Sequence, residues 1–519
     1  MGNRRLGLLL VALAAGGCGL PSRLQAKPER ALHVGLATAP ISFDPHATNE
    51  LVAITVNSNI YDTLVATDTE HRLVPRMASR WFNPDDRTWS FDLRPGIRFQ
   101  DGSALTSADV AFSLLRARND PLSEWAAGLA SIESIETPSP TSVVVHTRAP
   151  DATLIEAFAQ TLIVPRSAGA IADSPLKRAP VGSGPYRLAH HSEDLTAVEL
   201  STWNGYYGSS PAIDRLTFNS IPDDTQRVGA LVAGRMDLVS DVASDGSSLI
   251  RAARGVNLLE VPSLTLVYIG FDVARARTPY ASPARNPFRD ARVRRAVLAA
   301  LDRQRLVNQV LEATGDEAHQ IVAPGVFGFD PELPRNDPDP ELARRLLAQA
   351  GFPGGFSATL DAPATSFVGD ARVAPFVSRS LAEIGIGIEL RPQSKQELFA
   401  RMSQRDTSLF IGGWNCSSGD MQEVLDFLLH TPDPSNRWGR ENAGGYSNPR
   451  VDQLAEEAHR TMGRERRLQL LREAARLALE DVAWVPLYVT RNRYGASDRL
   501  RWSPRPDTLI LGETIGIAP

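Results

Sequence analysis

A chain of 519 residues exceeds one ordinary domain and accommodates about two to four lobes with ample core. Hydrophobic residues make up 43% and charged residues 22%, the balance of a water-soluble globular protein, which excludes fibrous and disordered classes. The net charge of -5, with both signs interspersed, argues against nucleic-acid binding, which needs a basic face.

At the N-terminus, Arg4 and Arg5 precede an apolar run over residues 6–15, too short for a permanent membrane span and typical of an export signal. Ala15, Gly16 and Gly17 then lead into Cys18. The arrangement resembles the lipobox of bacterial lipoproteins, with Ala15 where leucine is usual. That resemblance implies acylation of the Cys18 thiol and attachment to the membrane through the lipid, with residues 1–18 as signal and 19–30 as tether. A plain secretory signal cleaved nearby is the alternative, and either device exports the protein to the periplasm. The second of the two cysteines, Cys416, reads as a small buried pocket residue, since a core of this size needs no disulfide.

Residues 32–36 read as the first strand, running into a rim from Thr38 to Ser42. Helical spacing covers 57–65, and 89–93 alternates as a half-buried strand. Thr106 starts a helix, with Asp109 three residues on in a box-like arrangement. Gly182-Ser183-Gly184 marks a turn where backbone passes close to backbone. A helix over 224–233 follows the strand at 216–218, and 236–238 returns as strand. Residues 266–271 read as a further strand. A helix is expected over 290–311 with Gly315 just beyond, another over 371–384 ending at Gly385, then a strand at 386–390. Late helices over 451–461 and 464–479 precede a returning strand at 484–489. This alternation argues for parallel sheets.

The stretch 409–420, LFIGGWNCSSGD, delivers Trp414 and the small polar groups of Asn415, Ser417 and Ser418 to the tip of a buried strand, ending at Asp420. An aromatic face for affinity and a few polar groups for orientation suit a ligand pocket; a strand and turn with a core tryptophan is the plainer reading.

The segment FDLRPGIRFQDGSALTSADVAFSL, with FDPHAT and NIYDTLV before it, resembles the extracytoplasmic solute-binding proteins of ABC transporters, the peptide and nickel family (family 5). PVGSGPY at 180–186, NPFRDARVRRA at 286–296, LARRLLAQAGFPG at 342–354 and GYSNP at 445–449 extend the resemblance over about residues 31–490. It implies an α/β periplasmic binding protein-like fold (type II, cluster C), with two lobes, an extra subdomain and a hinge of crossing strands. Lobe I would take residues 31–270 plus 486–519, including the subdomain at about 60–180, and lobe II residues 271–485. It further implies a monomer that captures a small-molecule or peptide ligand and delivers it to an ABC permease and ATPase complex.

No GxxxxGK[ST], HExxH, GxSxG or CxxC pattern is present, so neither catalysis nor a cofactor is indicated. His190 and His191 are neighbours in a strand and point to opposite faces, so no residue cluster suggests a bare metal. In peptide-binding members of the family, a carboxylate three residues after the loop tryptophan pairs with the ligand's ammonium. Ser417 occupies that position here, and a hydroxyl does not neutralise a buried charge. Two readings follow: Asp420 takes the ion pair from another direction, or the ligand is neutral there, as an oligosaccharide or blocked peptide would be. Arg372 is the candidate for a ligand carboxylate, Tyr268 for a cleft wall, and Thr38 to Ser42 for the opposing rim. Peptide is the leading ligand class. An oligosaccharide, a nickel chelate or another polar solute, or a ligand sensor using the same clamshell, are the rivals.

Overall fold

Two long antiparallel strands, Val256–Phe271 and Trp484–Ser497, tie the chain together. The computed structural model describes residues 30–282, 284–364 and 371–518; the signal, most of the tether and Cys18 lie outside them.

Among the described residues the two strands sit at the middle of an eleven-stranded sheet. On one side follow Leu409–Asn415, Phe356–Pro363 and Ile386–Gln393. On the other follow Leu238–Val239, Ala31–Leu36, Arg215–Ser220, Ala197–Thr202 and Tyr186–His191, while the eleventh strand, Gly315–Glu317, pairs with Trp484–Ser497 off this path. The sheet is mixed rather than parallel. Ala31–Leu36 runs parallel to both its neighbours, as does Phe356–Pro363, but the crossing pair is antiparallel. One long strand leaves the first lobe and the other returns to it, so their directions must oppose.

Their register runs from Val256↔Ser497 to Pro262↔Arg491, breaks, and resumes at Leu266↔Val489. In the gap the Ser263 and Thr490 hydroxyls bond each other at 2.6 Å. Before the break Tyr494 and Ala496 belong to the core around Leu32, Val34 and Leu216. Beyond it Val267, Ile269, Val485 and Leu487 share a core with Leu360 and Leu409. The change of core therefore falls at Ser263 and Thr490.

A separate four-stranded antiparallel sheet (Ala78–Asp85, Thr88–Leu93, Ser142–Thr147, Ile132–Ser139) has its own core of Trp89, Phe91, Leu114, Val145 and Phe158. Its helix Ser107–Asn119 starts as expected: the Asp109 carboxylate accepts from the Thr106 N–H and hydroxyl, both at 2.9 Å.

Two helices differ from expectation. The one anticipated over 57–65 runs Leu51–Ile60 and stops. The Ile60 carbonyl, which a longer helix would spend on residue 64, instead accepts from the Gly184 N–H at 2.8 Å and the Gln100 amide at 3.1 Å. The run over 290–311 breaks after Ala291–Ala300, because the Asp302 side chain accepts from the Arg305 N–H and starts a new turn.

The Gly182 to Gly184 turn is a close backbone approach. A Cβ on Gly182 would lie 2.0 Å from the Ile60 carbonyl oxygen. Gly182→Ala is expected to cost about 2–4 kcal/mol in denaturant unfolding. Gly229→Ala, in the helix Asp224–Val232 with open space at its Cβ, is expected to be neutral or to stabilise by up to about 1 kcal/mol.

Candidate functional site between the lobes

The strand Leu409–Asn415 is buried through Gly412, where a Cβ would come within 2.8 Å of the Tyr268 ring. Glycine there lets the ring lie flat across the strand. Tyr268 is itself core, its ring 4.1 Å from that of Trp484, so it backs the strand from inside.

The loop that follows is organised by Glu423. Its carboxylate accepts from the Trp414 indole N–H and the Ser418 N–H, each at 2.9 Å. Burial raises its pKa above the ordinary carboxylate value, against those hydrogen bonds. Cys416 is buried, its thiol donating to the Asp420 carbonyl at 3.2 Å, and burial drives the thiol pKa well up, away from nucleophilic reactivity. Gly419 takes a φ of +69°, with a Cβ position 2.6 Å from the His71 ring, so only glycine fits between the lobes here.

Asp420 is committed to the protein. Its carboxylate accepts from the Gln422 N–H at 2.9 Å and pairs bidentately with Arg467 at 2.5 and 3.0 Å. Both partners are buried, which leaves a neutral pair rather than a free charge for a ligand.

Asn415, Ser417 and Ser418 line a cavity of about 90 Å³. Leu51, Ile54 and Ser58 of the first lobe form another part of its wall, and Glu156 and Gln160 of the helix Leu154–Gln160 another. Glu156 also lines a neighbouring cavity of about 400 Å³, bounded by Trp81 and Trp89 of the subdomain and by Phe327, Arg464 and Arg467 of the second lobe. Around these spaces the lobes touch. The Gln160 amide donates to the Ser417 carbonyl at 3.2 Å, and the Ala152 N–H to the His459 carbonyl at 2.9 Å. The His459 ring lies between Asp151 of the subdomain, at 3.5 Å, and Asp426 of the second lobe, at 3.2 Å.

Of the residues singled out from sequence, Asn415, Ser417 and Ser418 are brought together on the cleft, with Trp414 just behind them. Thr38 is exposed, while Ser42 is buried and its hydroxyl accepts from the Asp44 N–H. Arg372 is nearly half exposed and pairs with Glu312 at 3.1 Å. Neither Arg372, Thr38, Ser42, Tyr268 nor Asp420 lines the two cavities. The sequence reading missed Glu156, Gln160 and His71, which come from turns and a short helix with no local motif. Among the described residues no group of three or more His, Cys, Asp or Glu side chains is placed to hold a metal ion, and no helix is long and apolar enough to cross a membrane.

Asp420→Ala would strand the buried Arg467 guanidinium. It is expected to cost about 3–5 kcal/mol in equilibrium unfolding whether or not a solute is present. At His459 burial opposes the charged ring, but the hydrogen bond and charge of Asp426, with the charge of Asp151, hold the pKa up at about 9. The folded value lies above the unfolded one of about 6.5. The stabilisation, at most about 3 kcal/mol, is therefore complete below that pH and lost as pH rises through about 9. Melting curves from pH 6 to 10 are expected to show this loss in the wild type and its absence in His459→Gln.

The model of the bacterial extracellular solute-binding proteins, family 5 Middle, matches residues 72–436. Heme-binding protein A of Haemophilus influenzae is 26% identical over 487 residues, covering 87% of this chain and 85% of that protein. Glutathione-binding protein GsiB of Escherichia coli K12 is 26% identical over 466 residues, covering 87% of each. The structure of HbpA2 from Haemophilus parasuis superposes with a TM-score of 0.83 at 23% identity, covering 94% of this chain and 100% of that one. The mixed α/β fold is that of the periplasmic binding proteins, and the chain belongs to the bacterial extracellular solute-binding proteins of family 5, the binding components of ABC importers.

Proposed function

We propose that the protein captures di- and oligopeptides in the cleft between its lobes and delivers them to an ABC permease and ATPase complex, acting as a monomer in the periplasm and held to the membrane by a lipid on Cys18. The observation that carries this reading is a cleft enclosed from both lobes and lined by small polar groups. Asn415, Ser417 and Ser418 on one side and Ser58, Thr63 and Gln160 on the others offer the mixture of donors and acceptors that a peptide backbone needs. The larger adjoining cavity falls within the about 300–1,000 Å³ of small-molecule sites, and its aromatic walls suit side chains. The relative that binds glutathione, itself a tripeptide, supports the same class.

Capture would work through closure. Contacts from both lobes form only when the lobes meet, so a solute that bridges them shifts the open–closed equilibrium toward the closed form, with no covalent step. A second reading, a neutral polar solute such as an oligosaccharide, is favoured by the hydroxyl of Ser417, which neutralises no charge.

Melting of the purified protein against panels of di- and tripeptides, oligosaccharides and metal chelates tests both. A true solute at 100 times its Kd is expected to add about 2.7 kcal/mol of stability. Ser417→Ala is expected to weaken binding by about 0.5–1.5 kcal/mol if its hydroxyl bonds the solute. A shift with sugars and none with peptides would overturn the peptide assignment.

A further inference from the structure

The helix Leu154–Gln160 is anchored by Leu154, Ile155 and Phe158 in the subdomain core, which leaves Glu156, Ala159 and Gln160 on the cleft side. Gln160 spends its amide on the Ser417 carbonyl. Glu156 is different: it is half-buried, and its carboxyl has neither a hydrogen-bond partner nor an ion-pair partner among the described residues. The other acids at the cleft are occupied. Asp420 pairs with Arg467, Glu423 holds Trp414 and Ser418, and Asp507 pairs with Arg505 at 2.5 Å. A half-buried carboxyl without a partner among the described residues, forming part of the wall of two cavities, is placed to meet a solute there.

We propose that Glu156 is the receptor for a cationic group of the solute, an ammonium in the first instance. This rests on the peptide reading above. Asp420 on the loop and Arg464 and Arg467 on the helix Arg464–Glu480 act on the carboxyl, while His71 and Arg72, on the turn before Leu73–Pro75, and Asp507 line the same cavities. Burial and the negative charge of Asp420 outweigh the opposing arginines and push the Glu156 pKa up to about 8. At neutral pH the empty site therefore holds Glu156 mostly protonated. Arrival of an ammonium favours the carboxylate, so the carboxyl proton leaves to solvent as the ion pair forms. Binding then tightens as pH rises toward about 8, and close to one proton is released per solute captured at pH 7.

The experiment offers the purified protein an equimolar pool of random tripeptides with free amino termini, and the same pool N-acetylated. Retained peptides are quantified by mass spectrometry after gel filtration. The best-retained free peptide is then titrated calorimetrically at pH 7 in two buffers of unlike ionisation enthalpy. The expected result is a preference of about 10- to 100-fold for free termini, with proton release. Glu156→Gln should abolish both while melting no lower than the wild type at pH 8, since it breaks no hydrogen bond or ion pair among the described residues. If Glu156→Gln keeps the wild-type preference and proton release, the assignment to Glu156 is overturned and the peptide reading stands. If neither pool is retained by the wild type, the peptide reading fails and this inference with it.

Discussion

Everything in this molecule hangs on the pairing of Val256–Phe271 with Trp484–Ser497. Those strands make one sheet out of two lobes, and the larger of the two breaks in their register falls where the surrounding core changes hands. A continuous ladder would resist bending. A gap bridged by two hydroxyls, Ser263 and Thr490, leaves backbone that can absorb a change in angle without unpairing either lobe's half. The cleft opens beside this gap: Leu264, one residue past Ser263, lines the smaller cavity, and its carbonyl accepts from the Cys416 N–H at the base of the loop.

The electrostatics of the cleft follow a simple division. Charges that must stay put are paired inside the protein: Asp420 with Arg467, Asp507 with Arg505, Arg72 with Asp68 and Glu70. Neutral hydrogen-bonding groups and the paired Asp507 line the smaller cavity, and Glu156 stands between the two spaces without a partner among the described residues. His459, between acids of the subdomain and the second lobe, adds a contact across the interface that depends on its own charge. Such a surface can hold a polar solute firmly while most of its charges remain neutralised whether the cleft is empty or filled.

The family membership bounds the function but not the solute, because relatives of similar likeness are named for heme and for glutathione. The features of this chain that face a solute are local. Its loop carries Ser417, its nearby Asp420 is internally paired, and its unpartnered acid comes from a helix of the subdomain instead.

Much was legible in the amino-acid sequence. The strand Leu409–Asn415 with its polar tip, the Thr106 and Asp109 helix start, the close turn at Gly182 to Gly184 and the long return strand all depend on local rules: periodicity, capping, and the space a missing Cβ leaves. That Asn415, Ser417 and Ser418 share one cavity wall follows from their succession at a strand end. The rest needed the tertiary structure. That Asp420 is spent on Arg467, 47 residues away, and that Glu156 from the subdomain reaches the same cleft, depends on which distant elements pack together. Where the helix at Ile60 ends was likewise decided by Gly184, more than a hundred residues on, taking the carbonyl the helix would have used. Local sequence determines which elements form and where small and polar residues sit on them. Which charges are left without a partner is a property of the assembled fold, since pairing depends on distance in space and not along the chain.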